Sequence, residues 1–203
     1  LVTALVLNRK IIGRGFWRGV FFYPVLLSPV VVALIWKWLL QSQGVFNAAL
    51  VAVGSEPIDW LTTASWAFFW TVFVSIWAHM GFYTLILLAG LQAIPKDLYE
   101  AAEMDGASVL SRFFYLTVPH LTRAVTVVIL IQTIFLLAVF AEIYVTTAGG
   151  PGTATTTISY LVYMQSLVKY DVGAGSAGGI IAVILANIVA FFAMRMIGKN
   201  LDA

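Results

Sequence analysis

Residues 64–91 read ASWAFFWTVFVSIWAHMGFYTLILLAGL, 28 residues without one Asp, Glu, Lys or Arg. A run of about 18 or more apolar residues is long enough to cross a bilayer as a helix. In lipid no water is at hand for the backbone, so a span satisfies its own hydrogen bonds as a helix or closes into a barrel. The run shows no strict alternation of apolar and polar residues, which favours a helix over a barrel strand. Trp66, Trp70 and Trp77 lie in its first half and His79 at mid-span.

Outward from it, three further spans are predicted. The first covers Gly19 to Leu40, where Pro24 and Pro29 predict a kink. It ends in Trp36-Lys37-Trp38, the pattern of an aromatic belt at a water interface. The loop from Gln41 to Thr63 carries turn signals at Gly44, Gly54 and Glu56-Pro57, with a short helix expected over Val45 to Val53. The third span is expected over Leu121 to Val145 and the last over Ile180 to Ile197. Between them lie a glycine-rich loop, Thr146 to Thr157, and an apolar stretch, Ile158 to Val168, too short to cross. Asp171 to Gly179 is rich in small residues. Leu1 to Leu7 is apolar but too short to span, and reads as the last turns of a helix that starts earlier.

The composition agrees. The 203 residues are 62% hydrophobic and 10% charged, against about 25% charged in a soluble domain. A net charge of +2 gives no reason to expect nucleic acid as a partner. Without cysteine there is neither a disulfide framework nor a thiol metal site. The two histidines, His79 and His120, sit on different segments, with no H-E-x-x-H and no G-x-x-x-x-G-K-[ST]. An intramembrane enzyme is therefore disfavoured.

Charge sets the orientation. With Arg9, Lys10, Arg14 and Arg18 in the cytoplasm, four spans also bring Lys96, Arg112, Arg123, Arg195 and Lys199 inside, leaving only Lys37 and Lys169 outside. That balance requires Ile158 to Val168 to be a half-helix on the outer side, tolerated where it lines a cavity or is buried in protein.

The polar segment 93–119 then lies in the cytoplasm. Asp97 and Glu100 are spaced as a capping box, and Leu98, Ala101 and Ala102 share one helical face. Gly106 is placed to end that helix in a left-handed conformation. A second short helix is expected over Ser108 to Thr117 with Ser108 as its cap, and Pro119 marks the entry to the third span. Such a pair either rests on the inner leaflet or docks into a cleft on a soluble partner.

The run Glu100-Ala101-Ala102-Glu103-Met104-Asp105-Gly106-Ala107, followed by Phe113 and Pro119, resembles the EAA motif of ABC importer permeases. Leu88-Ala89-Gly90-Leu91-Gln92-Ala93-Ile94-Pro95, Thr147-Ala148-Gly149-Gly150-Pro151, Trp36-Lys37-Trp38, Gly44-Val45-Phe46-Asn47 and the stretch Gly173 to Gly179 are similar to the carbohydrate, maltose-type group of that family. The resemblance covers the whole chain, 1–203, as a single transmembrane permease domain with the coupling segment at 93–119. It implies an all-α, polytopic, MetI-like helix bundle lacking the N-terminal helix and most of the next. It further implies a second related permease, two cytoplasmic ATPase subunits that bind ATP and magnesium, an external solute-binding protein and a sugar substrate. The chain itself then holds no cofactor, metal or catalytic residue, and lies multi-pass in a bacterial or archaeal plasma (inner) membrane. Glu100, Ala101, Ala102, Asp105, Gly106 and Ala107 become ATPase-coupling residues.

A sugar path needs hydroxyl-bonding groups and aromatic platforms; Trp77, Tyr83, Gln132, Tyr144 and Asn187 are suitable in kind. The simpler reading of each is a helix–helix hydrogen bond, worth about 0.6 kcal/mol. Glu142 is expected at the outer interface facing a partner or the binding protein, the Gly173, Ala177, Gly178 and Gly179 cluster in close helix packing, and most tryptophans as interface anchors or lipid-facing residues. Two rival functions are a proton-coupled secondary transporter with His79 and Glu142 as relay, and an ABC permease for a non-sugar solute.

Overall fold

A computed structural model of the chain describes residues 1–8 and 12–201. Arg9 and Lys10 of the basic stretch lie outside the described residues, as do the side chains of Arg14 and Lys199. The described residues form helices and no strand: α1 (Val2–Asn8), α2 (Arg14–Phe22), α3 (Pro29–Leu40), α4 (Val45–Ala52), α5 (Ala64–Gln92), α6 (Lys96–Met104), α7 (Val109–Arg112), α8 (Val118–Ala138), α9 (Ala141–Thr146), α10 (Ile158–Tyr163) and α11 (Val172–Leu201). Among the described residues four stretches are long and apolar enough to cross a membrane: Pro29–Ala52, Ala64–Gln92, Val109–Ala138 and Val172–Phe192. Ile158–Val168 is apolar and shorter.

Three of the four span boundaries differ from the sequence reading, each for a backbone reason. The expected span 19–40 is broken, not kinked. Tyr23–Leu26 winds as a 3-10 turn, and Ser28 is extended at φ −66° and ψ 147°. Pro24 and Pro29 donate no N–H, and each disfavours helical backbone at the residue before it. Ser28 instead caps α3, its Oγ accepting from the Val31 N–H at 3.3 Å, with Pro29 in the first helical position. The membrane-length stretch therefore begins at Pro29 and runs, after a turn at 41–44, through α4.

The third span starts earlier and stops sooner than 121–145. Helix is continuous from Val109 to Ala138, with a π-turn at Phe113–Thr117. Pro119 cannot donate to the Tyr115 carbonyl, and the wider turn just before it absorbs that loss. At the other end the Ser159 hydroxyl donates to the Leu137 carbonyl and the Thr157 hydroxyl to the Val139 carbonyl, both at 2.9 Å. In an unbroken helix these carbonyls would take N–H groups four residues on. Hydroxyl partners let the helix stop among apolar surroundings without orphaned acceptors.

The last span starts at Val172, not Ile180, so its glycines are helical. Glycine inside a helix costs about 0.5–1 kcal/mol relative to alanine. Two of these glycines meet close neighbours: a Cβ on Gly175 would overlap Ser166, and one on Gly178 would sit 3.0 Å from Val162 Cγ2. Gly179 faces open space and Ala177 is exposed, so the tight approach belongs to Gly175 and Gly178 rather than to the whole cluster.

The chain divides into two units. One comprises Leu1–Tyr23, Met80–Thr133 and Val189–Ala203; the other comprises Pro24–His79 and Ile134–Ile188. The first is centred on Ala4 and Leu7 of α1, Leu87, Leu88 and Leu91 of α5, and Leu121 of α8.

The second unit is centred on aromatic rings, which corrects the view of most tryptophans as interface anchors or lipid-facing residues for Trp36, Trp60, Trp70 and Trp77, while Trp17, Trp38 and Trp66 are exposed. Trp36 and Trp60 are buried. Trp66, Trp70, Phe73 and Trp77 recur at helical spacing on α5, and Trp36 meets Trp70, Phe73 and Trp77 at centroid distances of 5.8, 5.3 and 5.4 Å. Only one tryptophan of the Trp36-Lys37-Trp38 pattern, Trp38, is exposed.

Asn47 pins the loop beneath this cluster. It is 2% exposed. Its Oδ1 accepts from Trp60 Nε1 at 3.0 Å and from the Ile58 N–H at 2.9 Å, while Nδ2 donates to the Ile58 carbonyl at 3.0 Å. Asn47→Ala leaves all three groups without that partner, and is expected to lower stability by about 3 kcal/mol. Thermal unfolding in detergent checks this; an unchanged midpoint would show that the clasp stabilises nothing.

Candidate functional site

The segment 93–119 lies wholly within the first unit. Pro95, at φ −58° and ψ 137°, occupies the N-cap position of α6, and no side chain caps the helix. The expected capping box is therefore absent. Asp97 falls inside the first turn, too late to receive the first N–H groups, although its charge still favours the helix N-terminus.

The exit from α6 is the expected left-handed turn. Gly106 has φ +74°. The Gly106 N–H donates to the Glu103 carbonyl at 3.0 Å and the Ala107 N–H to the Ala102 carbonyl at 2.9 Å. This closes the helix as a Schellman-like cap does. Ser108 then caps α7, its Oγ accepting from the Ser111 N–H at 3.2 Å.

No residue of α6 is buried. Glu100, Ala101, Asp105 and Gly106 are exposed, and Ala102 and Ala107 half-buried. Around the turn Met104, Val109 and Leu110 are 89%, 68% and 69% exposed. Three exposed apolar side chains thus flank the turn, on a segment that also carries exposed charges.

Two polar links join the arms, and neither was singled out from the sequence. Arg112 Nη1 donates to Glu103 Oε2 at 2.9 Å, and the Tyr99 and Thr117 hydroxyls lie 2.9 Å apart. Tyr99, Arg112 and Thr117 also line a cavity of about 420 Å³, together with Leu5, Leu91 and Phe113. An acid and a base flanking the turn glycine is the sequence signal from which the ion pair could have been read.

The residues suited to a sugar path fall in different places. Tyr83 and Gln132 belong to the first unit, and Trp77, Tyr144 and Asn187 to the second. Gln132 Oε1 is buried with no hydrogen-bond partner among the described residues. Trp77 packs in the aromatic core against Trp36. Asn187 is exposed and donates to the Val183 carbonyl of its own helix at 2.8 Å. Tyr144 belongs to another ring group, stacked on Phe140 at 5.5 Å and edge-on to Tyr163 at 5.3 Å. The Tyr144 hydroxyl beside Tyr163 pushes that phenol above its ordinary pKa, with desolvation adding to the effect.

Glu142 does not face outward. It is 6% exposed, on the short helix α9 that packs against α3. Lys37 Nζ donates to the Val145 carbonyl of that helix at 2.9 Å. His79 Nδ1 donates to the Ser75 carbonyl of its own helix at 2.9 Å.

Residues 1–202 match the family model described as "binding-protein-dependent transport system inner membrane component". The trehalose/maltose transport system permease protein MalF of Thermococcus litoralis is 44% identical over 186 residues, which is 91% of this chain and 63% of that protein. The sulfoquinovosyl glycerol transport system permease protein SmoG of Agrobacterium fabrum is 38% identical over 175 residues, 86% of this chain and 57% of that protein. The chain thus spans less than two thirds of these relatives' length. Among solved structures, a bacterial ABC transporter involved in the import of the acidic polysaccharide alginate superposes with a TM-score of 0.83 at 28% identity, covering 98% of this chain and 71% of that one.

Proposed function

We propose a function from one premise: this chain is an integral membrane protein that belongs to the family of binding-protein-dependent transport system inner membrane components. With a second, related permease it forms the path by which a sugar or sugar-like solute crosses the membrane. An external solute-binding protein delivers the solute. Two cytoplasmic ATPase subunits bind ATP and magnesium and do the hydrolysis; this chain supplies the moving path and the lever.

The lever is the observation that carries the proposal. α6 buries none of its residues, and its tip presents Met104, Val109 and Leu110 around the Gly106 turn. A helix so little held by its own chain is built to be held by another. On this reading 93–119 faces the cytoplasm, Glu100, Ala101, Ala102, Asp105, Gly106 and Ala107 enter the ATPase cleft, and 1–203 acts as one permease domain. The sugar class is supported by the transport systems named for its relatives. Trp77, Tyr83, Gln132, Tyr144 and Asn187 remain the candidates for the path. Trp77 is the weakest, since its ring is already packed.

Affinity purification of the full protein from its own membrane tests the proposal. The expected result is recovery of an ATPase subunit and a second permease in comparable amounts. Recovery of the chain alone, with solute uptake dissipated by a protonophore, would establish a proton-coupled transporter instead.

A further inference from the structure

The apolar tip explains docking but not how a push on α6 reaches the membrane. Burial does little to hold α6 in register with the next helix, because none of its residues is fully buried. What joins them are two side-chain links at different heights. Near the tip Glu103 Oε2 accepts from Arg112 Nη1 at 2.9 Å. Near the base the Tyr99 hydroxyl lies 2.9 Å from Thr117 Oγ1. Tyr99 and Glu103 are four residues apart and so lie on one face of α6. Arg112 and Thr117 both lie on the helix that continues unbroken from Val109 to Ala138.

We infer that Tyr99–Thr117 and Glu103–Arg112 are the struts through which movement of the docked helix is delivered to the third span. The inference rests on the permease reading above. Two attachment points four residues apart on one face oppose rotation of α6 about its tip, which a single link would allow. Without them the Gly106 turn, which has open space around it, is a hinge between two helices. An ion pair with one partner in solvent adds little stability; Glu103 is 70% exposed and Arg112 20%. The role of the pair is therefore to fix geometry, and the buried Thr117 hydroxyl secures the second point. These are positioning residues: they act through the helices they join, and none of them belongs to the expected docking set.

The test uses the complete transporter reconstituted in liposomes with its binding protein. Glu103→Gln, Arg112→Gln and Tyr99→Phe are compared with the exchanged pair Glu103→Arg with Arg112→Glu. Three quantities are read: ATPase subunit retained on the permease, ATP hydrolysed, and solute imported, with trehalose or maltose as the probe. The expected result is full retention of the ATPase in each single variant, with about a threefold or larger rise in ATP consumed per solute, and recovery of the ratio in the exchanged pair. If the ATPase is lost from the Glu103 variant and the exchanged pair does not restore it, Glu103 is a docking residue and the strut inference fails. An unchanged ratio in all variants also overturns it. If the unmodified protein retains no ATPase, it is the permease reading itself that fails.

Discussion

A Gly106→Arg chain is expected to insert in normal amount and to lose the ATPase subunits. The two halves of that result have separate causes. A Cβ at Gly106 meets nothing within 4 Å, so the substitution makes no internal clash and the bundle folds. The backbone, however, sits at φ +74°, where an L side chain costs about 1–2 kcal/mol. Relief of that strain rotates α7 away from α6 and shifts the pair out of its docking shape. A penalty of that size alone weakens association about five- to thirtyfold, and a charged, bulky side chain at the tip adds to it. Gly106→Asn separates the two contributions, because asparagine adopts the left-handed region readily. It should retain most of the ATPase, while Gly106→Val, uncharged but intolerant of positive φ, should lose it. Blotting of membranes against co-purified ATPase reads both quantities. Full retention by Gly106→Arg would show that the turn takes no part in docking.

Gly81→Ala is expected to destabilise the first unit markedly, although alanine is the best helix former. A Cβ on Gly81 would overlap the Phe21 carbonyl oxygen and lie 2.8 Å from Phe22 Cα. Both are backbone atoms of α2, so no rotamer change relieves the contact and the helices must separate. Overpacking typically costs about 1–3 kcal/mol; a clash with rigid backbone belongs at the top of that range or above. Phe21 packs against the cluster of Leu7, Leu88 and Leu121, so its displacement loosens that core as well. Gly19→Ala, on α2 with open space around it, is the control. There the same substitution should raise stability by about 0.5–1 kcal/mol. Thermal unfolding of the two variants side by side should give shifts of opposite sign. A Gly81→Ala protein as stable as the parent would mean that α2 and α5 do not approach as described.

The amino-acid sequence determined those features whose physics is local. Hydropathy and length place α5 to within a residue or two, because the bilayer demands a long apolar helix and nothing remote can change that demand. Gly106 was legible as a left-handed turn because its role follows from the missing Cβ. Ser108 was legible as a cap because a hydroxyl reaches the N–H three residues on without help. The E-A-A to Gly106 to Pro119 spacing carried the family. The tertiary structure decided where backbone or side-chain groups find partners far along the chain. α8 stops at Ala138 because hydroxyls from Thr157 and Ser159 accept the task of satisfying its last carbonyls. No hydropathy window contains both ends of such a bond. Glu142 is buried because α9 packs against α3, more than a hundred residues earlier in the chain. The tryptophans form a core because rings spaced along one face of α5 meet Trp36 from another helix, whereas composition alone assigns them to a membrane interface. The same holds for Gly81: the sequence shows a glycine inside a helix, and only the approach of Phe21 explains why nothing larger fits.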